Sequence, residues 1–222
     1  EIRFCDWSSD VCSSDLTAQV AGAAPCASTP QVTEATPQQV KEFFASRKRK
    51  VVTFLGYSGA EYQDPAAMLQ QAGAALKKFD PRRTVVNIGA TAVGIGAVYE
   101  LAKSKGFETA GIVSSQAKEQ QVALAECVDF VFYVQDSSWG GYLPGTTTLS
   151  PTSEAMVAAS DVVVAIGGGD VARDELLAAK RLKKRTTFIP ADMNHRLARD
   201  KAAKKGRSEE HTSELQSQNR IS

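Results

Sequence analysis

Histidine is nearly missing from this chain: there are two in 222 residues, and only His195 lies within the part that reads as a folded domain. Cysteine is also sparse, at four residues, and none forms a CxxC pair or stands at metal-ligand spacing from a histidine. These absences argue against a structural zinc and a histidine-based triad, and no metal site is expected. No apolar run approaches the length of about 20 residues that a membrane span requires. A large excess of either charge is missing too, with 26 basic against 25 acidic side chains. The basic cluster Arg47-Lys-Arg-Lys50 precedes an apolar run and reads as a solvated flank, so nucleic acid is not an expected partner.

The two ends differ in character from what lies between. Asp6-Trp-Ser-Ser-Asp-Val-Cys-Ser-Ser-Asp-Leu16 resembles a translated sequencing adapter, and Arg207-Ser-Glu-Glu-His-Thr-Ser-Glu-Leu-Gln-Ser217 resembles the same adapter read from the opposite strand. The residues outside them fit its outer flanks. Residues 1–16 and 207–222 are therefore expected to be tails never selected to fold, with the natural termini missing. Between them lie 190 residues with 23 basic and 18 acidic side chains, an ordinary size for one domain. Residues 17–36, rich in Ala, Thr, Pro and Gln, read as a flexible linker or as the remnant of an export signal. Residues 37–206 are the expected domain.

What is present in that domain is a regular alternation. Apolar runs at 51–55, 84–88, 109–113, 129–134, 161–166 and 186–189 are separated by helical stretches. The runs are apolar throughout rather than alternating, as a sheet covered on both faces requires. Asp64 before Pro65 gives a cap and first turn for a helix reaching Phe79, and Gly106 supplies a left-handed helix end. A helix over 116–127 is also predicted. The fold class is α/β: a single Rossmann-like, doubly wound, mostly parallel sheet of about six strands with helices on both faces.

In such a sheet ligands bind beyond the carboxyl ends of the strands, near the point where the strand order reverses. Three glycine-rich turns fall there: Gly56 to Tyr62 with Ser58 and Gly59, Gly89 to Gly96 with Thr91 and Gly94, and Gly167-Gly168-Gly169-Asp170 opening into a helix. Glycine lets main-chain amides approach an anion, and the helix start adds unpaired N–H donors. Any one of these turns also serves as a plain tight turn. Asp170 either accepts from a ribose hydroxyl or caps a helix starting at Val171. Arg173 either pairs with phosphate or faces water. Glu175, with Asp174 beside it, is a candidate general base or an exposed charge near the helix dipole. Trp139 and Tyr142, in the long loop over 135–151, either meet the ligand or anchor the loop. A redox dinucleotide site is disfavoured, because Gly56, Gly59 and Asn87 supply neither a regular GxGxxG nor an acidic strand end.

Val93-Gly-Ile-Gly-Ala-Val98 and Ser160-Asp-Val-Val-Val-Ala-Ile-Gly-Gly-Gly169, followed by Asp174-Glu175-Leu-Leu177, resemble blocks of the SLOG superfamily. That superfamily includes the Lonely-Guy-type phosphoribohydrolases once labelled lysine decarboxylases. The likeness runs over about residues 51–191. It implies a nucleotide or phosphorylated small-molecule ligand, no redox cofactor, a cytoplasmic location and a homodimer formed by helices flanking the site. Two departures matter. Asp170-Val171 stands where the family's enzymes have Gly-Thr, and the helix over 152–158 lacks their arginine. Binding or sensing of a nucleotide is therefore the leading expectation. Hydrolysis of the base–ribose bond of a nucleoside monophosphate is one alternative, and a non-catalytic interaction subunit is the other.

Overall fold

The computed structural model describes Cys26 and residues 29–204; the adapter-like tails and the rest of 17–28 lie outside the described residues. Seven parallel strands form one sheet. They are β1 (Gln31–Glu34), β2 (Lys50–Gly56), β3 (Thr84–Ile88), β4 (Glu108–Ser114), β5 (Phe130–Val134), β6 (Val162–Ile166) and β7 (Arg185–Ile189), in the order β1-β5-β4-β3-β2-β6-β7. The helices are α1 (Pro37–Arg47), α2 (Pro65–Leu76), α3 (Val98–Ser104), α4 (Gln116–Glu119), α5 (Pro151–Ala159), α6 (Asp170–Arg181) and α7 (His195–Lys204). From β2 the chain winds outward through β3, β4 and β5, then returns through α5 to place β6 on the other side of β2. The strand order thus reverses between β2 and β6.

The strands bury both faces, which explains their unbroken apolar character. On one face Val52, Phe54, Val86, Ile88, Val164 and Ile166 pack with Met68, Ala72 and Leu76 of α2 and with Tyr99 of α3. On the other, Val51, Leu55, Val85, Ile112, Phe132 and Val163 pack with Val40 and Phe44 of α1, Met156 of α5 and Leu176 of α6. The helix signals at α2 hold: the Asp64 carboxylate accepts from the Ala67 N–H at 2.9 Å, and Pro65 occupies the first turn. Gly106, at φ +80°, ends α3, with its N–H donating to Lys103 O.

Three features differ from the sequence expectation. The seventh strand is β1, in the stretch that reads as linker; its four residues are all exposed and pair only with β5, so no apolar pattern marks it. The helix expected over 116–127 is a single turn. Gln121 adopts φ +53°, and the chain then crosses the end of β3, where Ala125 N–H donates to Ala90 O at 3.0 Å. Cys26 forms a disulfide with Cys127 across 101 residues, with the two Cα atoms 4.9 Å apart. Cys127 precedes β5, so the bridge ties the start of the described chain to the amino-terminal edge of the sheet.

Candidate functional site

A cavity of about 500 Å³ opens at the carboxyl ends of β2, β3 and β4, beside the reversal between β2 and β6. Nine of the residues singled out by sequence line it: Gly56, Ser58, Gly59, Gly89, Thr91, Trp139, Gly169, Asp170 and Glu175. Gly94, Gly96, Gly167, Gly168, Arg173 and Asp174 do not.

The glycines divide by what their missing side chains face. A Cβ on Gly96 would overlap Thr91 O, so Gly96 lets the β3 turn fold back on itself; one on Gly94 would overlap Tyr57 O, so Gly94 lets the β3 turn close onto the β2 turn. Ile95 N–H completes that contact by donating to Tyr57 O at 2.7 Å. A Cβ on Gly167 would lie 2.7 Å from the Tyr57 ring, and one on Gly168 would lie 2.5 Å from Ala172 Cβ. Tyr62 pins the same region: its hydroxyl donates to Ile166 O at 2.7 Å and accepts from Tyr57 N–H at 3.2 Å. Gly169 is different. A Cβ there would meet nothing within 4 Å, and the residue lines the cavity.

Gly169 is also the N-cap of α6, and its carbonyl accepts the first bond of the helix, from Arg173 N–H at 3.0 Å. The N–H groups of Asp170, Val171 and Ala172 therefore have no partner within the helix, and all three residues line the cavity. Asp170 is not the cap suggested by sequence. It is the first helical residue, and its carboxylate pairs with Arg173 Nη1 at 2.7 Å. Arg173 Nη2 also reaches Asp174 at 3.0 Å, so both carboxylates hold the guanidinium at the helix surface.

Asp174 and Glu175, adjacent in sequence, do different work. Asp174 Oδ2 accepts from the Tyr142 N–H at 3.0 Å and so fixes the long loop to α6. Glu175 is buried against the cavity, with 4 % of its surface exposed. Its Oε1 accepts from the Ser153 hydroxyl at 2.6 Å, and that hydroxyl in turn accepts from Gly141 N–H at 2.7 Å. Oε2 receives no hydrogen bond from the protein among the described residues. Burial is the main cause that pushes the Glu175 carboxyl up to about 7; the Ser153 hydrogen bond opposes the rise, and the Asp174 charge adds to it. A buried carboxyl of this kind can accept a hydrogen bond from a ligand or exchange a proton near neutral pH.

The rest of the cavity is largely apolar. Ile88, Ile112 and Met156 line its interior, while Val93, Val122, Trp139 and Val171 line it with surface still exposed. Among the described residues, no lysine, arginine or histidine lines it. Trp139 is half exposed at the cavity, and the backbone N–H groups of Gly141 and Tyr142 anchor the loop to Ser153 and Asp174. The Thr91 hydroxyl is engaged locally, donating to Val93 O at 3.2 Å. Sequence reasoning missed Ser153, Met156 and the 122–124 segment; the first two sit on a helix with no glycine or basic residue, and the third lay inside a predicted helix.

Asp136 organises the site from the end of β5. Its carboxylate accepts from the Thr152 N–H at 2.9 Å, capping α5 from outside, and from the Ser138 N–H and hydroxyl, each at 2.8 Å. Burial alone would raise its carboxyl, but these hydrogen bonds outweigh it and hold Asp136 below its ordinary value. Among the described residues no cluster of His, Cys, Asp and Glu is suited to a metal ion, and no helix is long and apolar enough to cross a membrane.

The architecture defines a Rossmann-like α/β domain with a cavity at its strand-order reversal. No family model matches the chain, and no curated protein does. Among solved structures it is similar to the Moco carrier protein of Chlamydomonas reinhardtii, with 17 % identity over 64 % of this chain and 76 % of that one, at a TM-score of 0.46. It is similar also to the molybdenum cofactor binding protein of Rippkaea orientalis, with 18 % identity over 65 % and 78 % and a TM-score of 0.48.

Proposed function

We propose that this protein binds a small organic ligand of the nucleotide class in the cavity between the glycine turns. The observation that carries this reading is the convergence of two turns flanking the reversal, Gly56–Gly59 and Gly169–Asp170, on one cavity large enough for such a ligand. The first-turn amides of α6 and the Ser58 hydroxyl supply donors to sugar oxygens, and Ile88, Ile112 and Met156 supply an apolar bed for a ring system. Calorimetric titration of the protein with AMP, ADP-ribose and NAD tests the proposal. Saturable binding of at least one is expected, and a folded protein that binds none of them overturns it.

Glu175 favours a second reading, hydrolysis of the N-glycosidic bond of a nucleoside monophosphate. A carboxyl buried against the cavity, with its proton affinity raised to about 7, suits a general base or a stabiliser of the ribosyl cation. Release of free base from AMP, abolished in Glu175→Gln, supports this reading; intact AMP after prolonged incubation removes it. The Cys26–Cys127 disulfide supports an oxidising compartment, in line with the export-signal reading of residues 17–36. Mass spectrometry of alkylated protein taken directly from its cells is expected to show Cys26 and Cys127 joined; alkylation of both thiols overturns export.

A further inference from the structure

The polar groups of the cavity are distributed in a way that bears on which part of the ligand is recognised. Among the described residues the charged side chains that line it are Asp170 and Glu175, both acids, and the Lys201 ammonium beside the β2 turn is engaged by the main-chain carbonyl of Gly59. At the start of α6, where unpartnered amides would draw an anion, the chain places its own carboxylate, Asp170, with Arg173 as its counter-ion at 2.7 Å. A phosphate at this turn would lie against a like charge, and the nearest guanidinium is shared between Asp170 and Asp174. Glu175, also in the lining, has its Oε1 taken by Ser153 and leaves Oε2 for a donor on the ligand, and the Ile88, Ile112 and Met156 side chains of the same lining reward burial of apolar area. The exposed apolar surfaces of Val93, Val122, Trp139 and Val171 extend this character to the rim, from four separate segments of the chain.

We infer that Asp170 is a resident anion that makes the pocket select the uncharged part of its ligand, an apolar ring system bearing an N–H donor for Glu175, and discriminate against phosphorylated forms. The inference rests on the nucleotide-class reading and adds the basis of its selectivity: phosphate is tolerated at most, and the ring is what is read. Asp170 is then the residue that determines specificity, through charge rather than shape.

The test is calorimetric titration of the full chain at about pH 8, where Glu175 is ionised, with adenosine, AMP and ADP as probes. The wild-type protein is expected to bind adenosine at least as tightly as AMP, and ADP more weakly than either. In Asp170→Asn the ratio of AMP to adenosine affinity should move toward AMP by about tenfold, and in Asp170→Glu, which retains the charge, it should stay near the wild-type value. Circular dichroism establishes that each variant is folded. Wild-type protein that binds AMP about tenfold more tightly than adenosine, or a ratio unmoved in Asp170→Asn, overturns the inference and leaves nucleotide-class binding standing. Binding of none of the three probes by folded protein overturns the inference, and failure of ADP-ribose and NAD to bind as well overturns the nucleotide-class reading.

Discussion

Gly168 and Gly169 are neighbours in one turn, yet substitution should affect them in opposite ways. Gly169 sits at φ −87° with nothing within 4 Å of its absent Cβ, so Gly169→Val should fill cavity space and cost only about 0.5–1 kcal/mol, the loss of a glycine N-cap. Titration with AMP is expected to show binding lost while the thermal midpoint falls only slightly. Gly168 has φ +122° and would bring a Cβ within 2.5 Å of Ala172 Cβ, so Gly168→Val should destabilise the fold by about 2–4 kcal/mol through strain and overlap. Lost binding in that variant would report the fold and not the site. Glu175 gives a pH signature. Its carboxyl is raised in the fold from 4.5 to about 7, so the group adds no penalty at low pH, and the protein loses stability as pH rises between those values. Glu175→Gln should therefore be more stable than wild type near pH 8, by a few kcal/mol at most, and the difference should vanish toward pH 4. Denaturant unfolding at both pH values checks this, and a gap that widens in acid would contradict it.

At the level of elements, α5 depends on a residue outside itself. Its N-cap, Ser150, makes no side-chain capping bond, and Asp136 takes that role from the end of β5. Asp136→Ala should cost about 2–3 kcal/mol, more than loss of an exposed cap, because the Thr152 and Ser138 donors are left unpaired in a buried place. Chemical denaturation near pH 7 measures the loss. Because α5 carries Ser153, the same variant should loosen the Ser153–Glu175 contact and weaken ligand binding. The short α4 shows the reverse case, in which tertiary contacts override a local preference. Residues 122–125 satisfy the end of β3 through the Ala125–Ala90 hydrogen bond and line the cavity with Val122 and Leu124, although residues 116–127 pattern as a helix.

Over the whole molecule the cavity and the disulfide occupy opposite edges of the sheet, since the strands are parallel and Cys127 precedes β5 while the cavity lies beyond the carboxyl ends. Cys26→Ser should thus lower stability by about 2–4 kcal/mol, or about 5–15 °C in thermal midpoint, through lost constraint on a loop of this length. Affinity for AMP should be unaffected. The central strands, the two-sided core and the positions of the glycine turns were all legible in the order of residues, because each depends on short apolar runs and on turn residues acting locally. Gly56, Gly89 and Gly169 could be placed at one edge of a sheet for that reason. The turns alone could not tell the glycines that line the cavity from those that let backbones meet, since Gly94 and Gly168 differ from Gly169 in their positive φ and in what lies across from them, both set by the fold. Nor could they separate Asp174, which fastens a loop, from the adjoining Glu175, which is buried at the cavity. The edge strand β1 and the Cys26–Cys127 bridge were hidden for the same cause. The sequence by itself determined the doubly wound frame; the tertiary structure decided which residues face the cavity, because that depends on contacts between segments far apart in the chain.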